Sequence, residues 1–193
     1  MRILRAANYR RVPWKNGGGE TIEMMVSPEG ASFDTFDWRL SMAHVGAPGP
    51  FSLFPNIDRT LSVIAGSGLV LRLADKAPVT IDGHSEPFAF PGDVAVESTL
   101  VDGAIDDLNV MTRRGRFSHR VVRHTLSMPA QLAWSGDIAI VVAIGRATAI
   151  DIDRRTITLE PRDAIVLEAG DAAAFTTSPQ SEADLFVIEI RLG

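Results

Sequence analysis

The sequence predicts an all-β protein made of two packed β-units, and three observations carry that prediction. Almost every apolar run is short, rich in β-branched residues and bounded by Gly, Pro or Asp, as at 21–26, 38–45, 60–65, 69–73, 93–97 and 108–111. The second half continues at 138–144, 148–152, 156–159, 164–167 and 185–191. Runs of this length and spacing belong to sandwiches and barrels. The segment 38–45 also alternates, with Trp38, Leu40, Met42 and His44 on one face and Arg39, Ser41 and Ala43 on the other. Finally, there is a faint duplication. Ser62-Val-Ile-Ala-Gly-Ser-Gly68 leads to Phe90-Pro-Gly-Asp93, as Val141-Val-Ala-Ile-Gly145 leads to Glu160-Pro-Arg-Asp163, and each copy then reaches a last apolar strand.

Taken in chain order, 9–14 reads as an early strand. Trp14-Lys-Asn-Gly-Gly-Gly19 follows it without the Gly-Lys-Ser/Thr ending of a phosphate loop. Two readings of that string stand: a glycine-rich turn allowing close backbone approach, or a rim on which Lys15, Asn16 and free amides meet a ligand. The strand at 21–26 puts Thr21, Glu23 and Met25 opposite Ile22 and Met24. A first unit, 1–114, carries these strands and the candidate pocket. The crossing lies near Arg114 to Arg116, before a strand at 117–123. The second unit, 115–193, reads as structural, and the two are expected to form one compact body. No amphipathic stretch is longer than a couple of helical turns.

Composition bounds the function classes. Hydrophobic residues make up 46% and charged residues 22% of the 193, enough for a sizeable core. The net charge of −5 gives no global support to a nucleic-acid role. Arg2, Arg5, Arg10, Arg11 and Lys15 all precede the first acidic residue, Glu20, but no apolar signal core accompanies them. No run approaches the roughly 18 apolar residues of a membrane span. With no cysteine there are no disulfides, thiolate zinc sites or cysteine nucleophiles, which agrees with a cytoplasmic protein.

Three strings are more specific: Trp14-Lys-Asn-Gly-Gly-Gly-Glu-Thr-Ile-Glu23; Trp38-Arg-Leu-Ser41 with Pro50-Phe-Ser-Leu-Phe-Pro-Asn-Ile-Asp-Arg59; and Phe88-Ala-Phe-Pro-Gly-Asp93 with Asp107-Leu-Asn-Val-Met-Thr-Arg-Arg114. Together they resemble the HutD/Ves family of double-cupin proteins from about Leu4 to Arg191, mostly through the first half. Asn56 stands where that family usually has Gly, and Leu108 where an aromatic residue is usual. The resemblance implies a bicupin, two packed β-barrel or jelly-roll cupin units of the RmlC-like kind. It implies a link to histidine utilisation and a small carboxylate metabolite as partner, with urocanate and N-formylglutamate as candidates. It establishes no reaction.

A metal-binding cupin shows Gly-x5-His-x-His-x4-Glu-x6-Gly. Threaded onto that spacing, this chain offers Gly46, Ser52, Phe54, Arg59 and Gly66. The glycines remain; both histidines and the glutamate are replaced, and no histidine lies between His84 and His119. A guanidinium cannot ligate a first-row metal, so no metal or other cofactor is expected.

The same exchange turns the pocket toward anions, because a guanidinium fork suits a carboxylate. Arg39 with Ser41 is a second donor candidate. Asn109 and Arg113 share a strand parity and complete the expected binding set with Ser52, Phe54 and Glu23. Each arginine has a structural reading too, as an ion pair with Asp58, Glu23 or Asp107. Glu23 is the only candidate base for catalysis, with pairing to Arg59 its other role. His44 reads as packed; no Ser–His–Asp order stands out. Three functions follow: a carboxylate-binding protein that moderates histidine utilisation, a metal-independent isomerase or hydrolase, or an interaction module with a vestigial pocket. No nucleic acid or membrane partner is expected, and a homodimer through edge strands is left open.

Overall fold

A computed structural model of the chain describes residues 1–14, 17–74, 76–178 and 183–193. These form β-strands joined by turns, with one short 3-10 segment at Ala6–Asn8. Among the described residues no helix is long and apolar enough to cross a membrane. Two compact units result, one of Tyr9–Ser118 and one of Met1–Asn8 with His119–Gly193.

That division corrects the expected boundaries at the N-terminus. The first strand, β1 (Arg2–Leu4), pairs antiparallel with Ala164–Val166. Asp163 fixes the connection: its carboxylate accepts hydrogen bonds from Arg5 Nη1 at 2.6 Å and the Ala6 amide at 2.8 Å. Residues 1–8 therefore complete the C-terminal unit. Ala6 and Asp163 are 157 residues apart in sequence, a partnership that no local pattern announces.

The Tyr9–Ser118 unit contains β2 (Arg10–Pro13), β3 (Gly19–Ser27), β4 (Trp38–Val45), β5 (Gly49–Pro50), β6 (Ile57–Ala65), β7 (Leu69–Leu73), β8 (Val79–Ile81), β9 (Phe88–Pro91), β10 (Val96–Leu100) and β11 (Ile105–Arg113). A six-stranded sheet runs β2-β3-β4-β11-β6-β9 and a four-stranded sheet runs β5-β10-β7-β8. Leu61 and Val63 from the first meet Leu69, Leu71, Leu73 and Ile81 from the second in one buried cluster. Two positive-φ residues hold tight corners: Asn56 at +59°, which explains why glycine is usual there, and Gly66 at +89°. A Cβ on Gly66 would stand 2.5 Å from the Ala104 carbonyl oxygen, so glycine is required there.

The other unit adds β12 (Phe117–Leu126), β13 (Ala130–Ala133), β14 (Ile138–Ile144), β15 (Thr148–Ile152), β16 (Arg155–Leu159), β17 (Ala164–Glu168), β18 (Ala174–Ser178) and β19 (Ala183–Leu192). Its sheets run β1-β17-β14-β19-β12 and β13-β18-β15-β16. The segment β4-β11-β6-β9 of one unit thus matches β12-β19-β14-β17 of the other, and β5-β10-β7-β8 matches β13-β18-β15-β16. The two units share one topology, but the sequence repeat matches it only in part. β6 and β11 correspond to β14 and β19, whereas the Pro-x-Asp turns are not equivalent, since Pro91–Asp93 comes at the end of β9 and Pro161–Asp163 precedes β17. Val141, Leu185 and Val187 pack with Ile150, Ile152 and Phe175 in the second core.

Candidate functional site

The cavity lies against the inner face of the six-stranded sheet, where alternation delivers polar side chains at successive levels. Register fixes the rows. Glu23 pairs with Ser41 and Ser41 with Asn109. Arg39 pairs with Met111, and Met111 with Arg59 on its other side. Ala43 pairs with Asp107. All of these residues line one cavity of about 850 Å³, within the range of small-molecule sites. Ser52 and Phe54, which hold the histidine slots of the cupin spacing, line it too, as do Trp14, Phe33 and Phe51.

Arg59 is 5% exposed. Its guanidinium lies 5.2, 5.4 and 5.1 Å from the ring centroids of Phe51, Phe54 and Phe90, an arrangement in which ring quadrupoles replace part of the lost hydration. Nη1 donates to the Ser52 carbonyl at 3.2 Å, while Nε has no partner among the described residues. Desolvation pushes this group down to about 10, against the opposing pull of Asp107, so it stays charged at neutral pH.

Arg39 is held differently. Nε donates to Glu23 Oε2 at 3.0 Å and Nη1 to Ser41 Oγ at 3.3 Å, with the Phe33 ring 5.0 Å from the guanidinium carbon. Glu23 therefore pairs with Arg39, where pairing with Arg59 was one expectation. A register shift between Glu23 and Met25 places Met25 opposite Leu40. That bulge removes Met25 from the face it was expected to share with Thr21 and Glu23, both of which line the cavity.

Asp107 is absent from the binding set that the sequence suggests. It is 2% exposed, and its Oδ1 has no hydrogen-bond partner among the described residues. Burial pushes its carboxyl up to about 7, with Arg59 acting against the shift and Asp106 adding to it. Asn109 Oδ1 is likewise buried and without a partner among the described residues. The sequence does carry a signal for Asp107, since it shares strand parity with Asn109.

Several other expectations fall elsewhere. Arg113 has the parity of Asn109 but stands at the strand end, outside the cavity lining. Its Nε and Nη2 donate to the Phe36 and Asp34 carbonyls at 2.9 and 3.0 Å, which anchors that loop. Asp58 pairs with Arg114 at 2.7 Å rather than with a cavity arginine. His44 is half exposed and pairs at 2.7 Å with Asp106 across the strands, so it is not packed with Trp38. Lys15 and Asn16 lie outside the described residues. At Gly19 a Cβ would collide with the His44 carbonyl oxygen, which gives the glycine string a structural purpose; Gly18 nonetheless lines the cavity.

Among the described residues no group of three or more His, Cys, Asp or Glu side chains is arranged to hold a metal. The donor set at the cupin positions, a hydroxyl, a phenyl ring and a guanidinium, does not fit one. What the site offers an organic ligand is two buried guanidiniums, aromatic faces and a buried carboxyl.

The HutD family model matches residues 6–185. The uncharacterized 21.2 kDa protein in the hutC 3′ region of Pseudomonas putida is 39% identical over 121 residues, 63% of each chain. Protein Ves of Citrobacter koseri is 39% identical over 118 residues, 59% of this chain and 60% of that one. The chain spans about three fifths of the length of these curated relatives. The structure of HutD from Pseudomonas fluorescens SBW25, in a formate condition, superposes with a TM-score of 0.82 at 26% identity, covering 100% of this chain and 98% of that one. A cupin 2 conserved barrel domain protein from Leptotrichia buccalis shares the fold at 8% identity, with a TM-score of 0.59 and coverage of 94% and 96%. With the cupin-like sheets, the altered metal positions and the family match over nearly its whole length, the chain belongs to the HutD family, which is linked to histidine utilisation.

Proposed function

We propose that this protein binds a small carboxylate metabolite in the Tyr9–Ser118 unit and moderates histidine utilisation through it. Urocanate and N-formylglutamate are the candidate ligands. The observation that carries the reading is Arg59: a buried cation, caged by three rings, with a donor that no described residue meets. A carboxylate supplies the acceptor atoms and the opposite charge in one planar group. Arg39 lines the same cavity and is available as a second contact if its bond to Glu23 is shared.

Titration calorimetry of both acids against the wild type and Arg59→Ala tests this. Binding by the wild type with at least about a tenfold loss in the variant is expected, since a hydrogen bond to a charged group contributes roughly 1.5–3 kcal/mol. No carboxylate-dependent heat, or equal affinities, would defeat it.

A second reading is a metal-independent enzyme acting on the same class of acid. Asp107 favours it over the Glu23 version, because a carboxyl pushed up to about 7 is poised for proton transfer near neutral pH. Product formed on incubation, lost in Asp107→Asn, would decide for the enzyme.

A further inference from the structure

Building on the carboxylate reading, we propose that the cavity selects acids that also carry an N–H donor, and that Asp107 is the residue that makes the selection. The class of ligand is then narrower than a small organic acid: one end is a carboxylate for Arg59, and the other is an N–H-bearing ring or amide for Asp107.

Asp107 carries an acceptor that is unmet among the described residues. Its side chain lines the cavity, is 2% exposed, and has an Oδ1 that no described residue satisfies. Its cross-strand neighbours are Ala43 and Val63, whose side chains donate nothing. Two charged groups act on it, Arg59 and Asp106, and Arg10, Glu23 and Arg39 line the same cavity. Arg59 of β6 is the cation that acts on it, through charge and without a hydrogen bond. Arg39 of β4 is engaged by Glu23 of β3 and by Ser41. Asp106, its neighbour on β11, adds negative charge.

A ligand carboxylate at Arg59 makes this worse. Two anions then share one guanidinium, and Asp107 loses part of the compensation that Arg59 gives it. An acid with no donor leaves that penalty in place. An acid whose far end presents an N–H removes it, because the ligand itself satisfies Oδ1. Asn109 Oδ1, one level along the same strand and likewise without a partner among the described residues, offers such a ligand a second acceptor. A site whose buried polar atoms are left unpaired by an analogue rejects that analogue strongly.

The probes are two acids of matched shape. trans-Urocanate carries an imidazole N–H; 3-(2-furyl)acrylate has a five-membered ring of the same size and no N–H. Calorimetry on the wild type at pH 7.5 is expected to favour the imidazole acid by about tenfold or more. In Asp107→Leu the preference falls to within about threefold, with circular dichroism confirming a folded chain. If that variant does not fold, Asp107→Asn reads the same ratio and lowers it at least about threefold. Equal affinities for the two acids in the wild type overturn the selection, and a ratio unchanged in the folded variants overturns the role of Asp107. If neither acid binds the wild type, or if Arg59→Ala binds both as well as the wild type does, the carboxylate reading itself has failed and takes this inference with it.

Discussion

Replacing Asp107 with asparagine is expected to flatten the pH dependence of stability. Burial holds the wild-type carboxyl at about 7, against an ordinary value of 3.8. The folded chain therefore keeps this proton more tightly than the unfolded chain does. Below the unfolded value both states are protonated and the contribution to stability is fully present. As pH rises through the window between them, the unfolded chain ionises first and stability falls; above about 7 the loss is complete. Every tenfold difference in proton affinity between the two states corresponds to about 1.4 kcal/mol. The whole effect is then about 4 kcal/mol, with about 2–3 kcal/mol of it between pH 5 and pH 8. Asparagine has the same shape and no charge to lose. Urea denaturation followed by tryptophan fluorescence, at steps from pH 5 to 8, measures both proteins. The stability of the variant relative to wild type is expected to rise by about 2–3 kcal/mol across the range. Other titrating groups cancel in the comparison. Parallel curves would show that Asp107 ionises as freely as an exposed carboxylate, and the electrostatic account of the cavity would be wrong.

Glu23→Gln removes the charge that holds Arg39 and is expected to tighten N-formylglutamate binding severalfold in calorimetry, because a second guanidinium is released to the ligand. A tenfold loss would instead place Glu23 in direct contact with the ligand. Gly19→Ala, whose new methyl meets the His44 carbonyl, is expected to cost about 2 kcal/mol or more in denaturant unfolding; a neutral result would mean the turn moves aside. Leu185→Ala, in the second core and fully buried, is expected to cost about 2–5 kcal/mol while leaving carboxylate affinity unchanged. A matching loss of affinity would show that the cavity depends on that core.

Long strands with a clear inner and outer face are legible because alternation is a local property. Residues 38–45 give β4 to the residue, and the apolar runs at 69–73, 138–144 and 148–152 give β7, β14 and β15. Short or polar strands such as β5, β8, β9 and β13 carry too few residues for a period to appear. The run at 93–97 overreaches because Asp93 belongs to a turn and β10 begins at Val96. Parity brings Arg39, Ser41 and Asn109 toward one cavity, yet parity says nothing of how far along a strand the cavity extends. Arg113 therefore falls outside it, while Asp107, at the other end of the same strand face, lies within. The bulge after Glu23 hides in a regular-looking sequence, since an extra residue changes pairing and leaves the pattern of side-chain types intact.

The exchange of a carboxylate ligand for Arg59 makes a physical demand that the surrounding residues answer only in part. A cation inside a barrel needs either a counter-ion or substitute solvation. Three phenyl rings and one carbonyl give partial solvation. Asp107 is close enough to act through charge, yet it forms no hydrogen bond with Arg59 and is itself pushed toward neutrality. The two groups behave as halves of an ion pair held apart, and holding them apart costs stability that a well-formed pair or an apolar core would keep. A ligand that bridges them recovers that cost on binding. Affinity and stability are thereby linked through the same two residues, so substitutions that quiet the free cavity, such as Asp107→Asn, are expected to stabilise the chain above pH 7 and to weaken its grip on a bridging ligand.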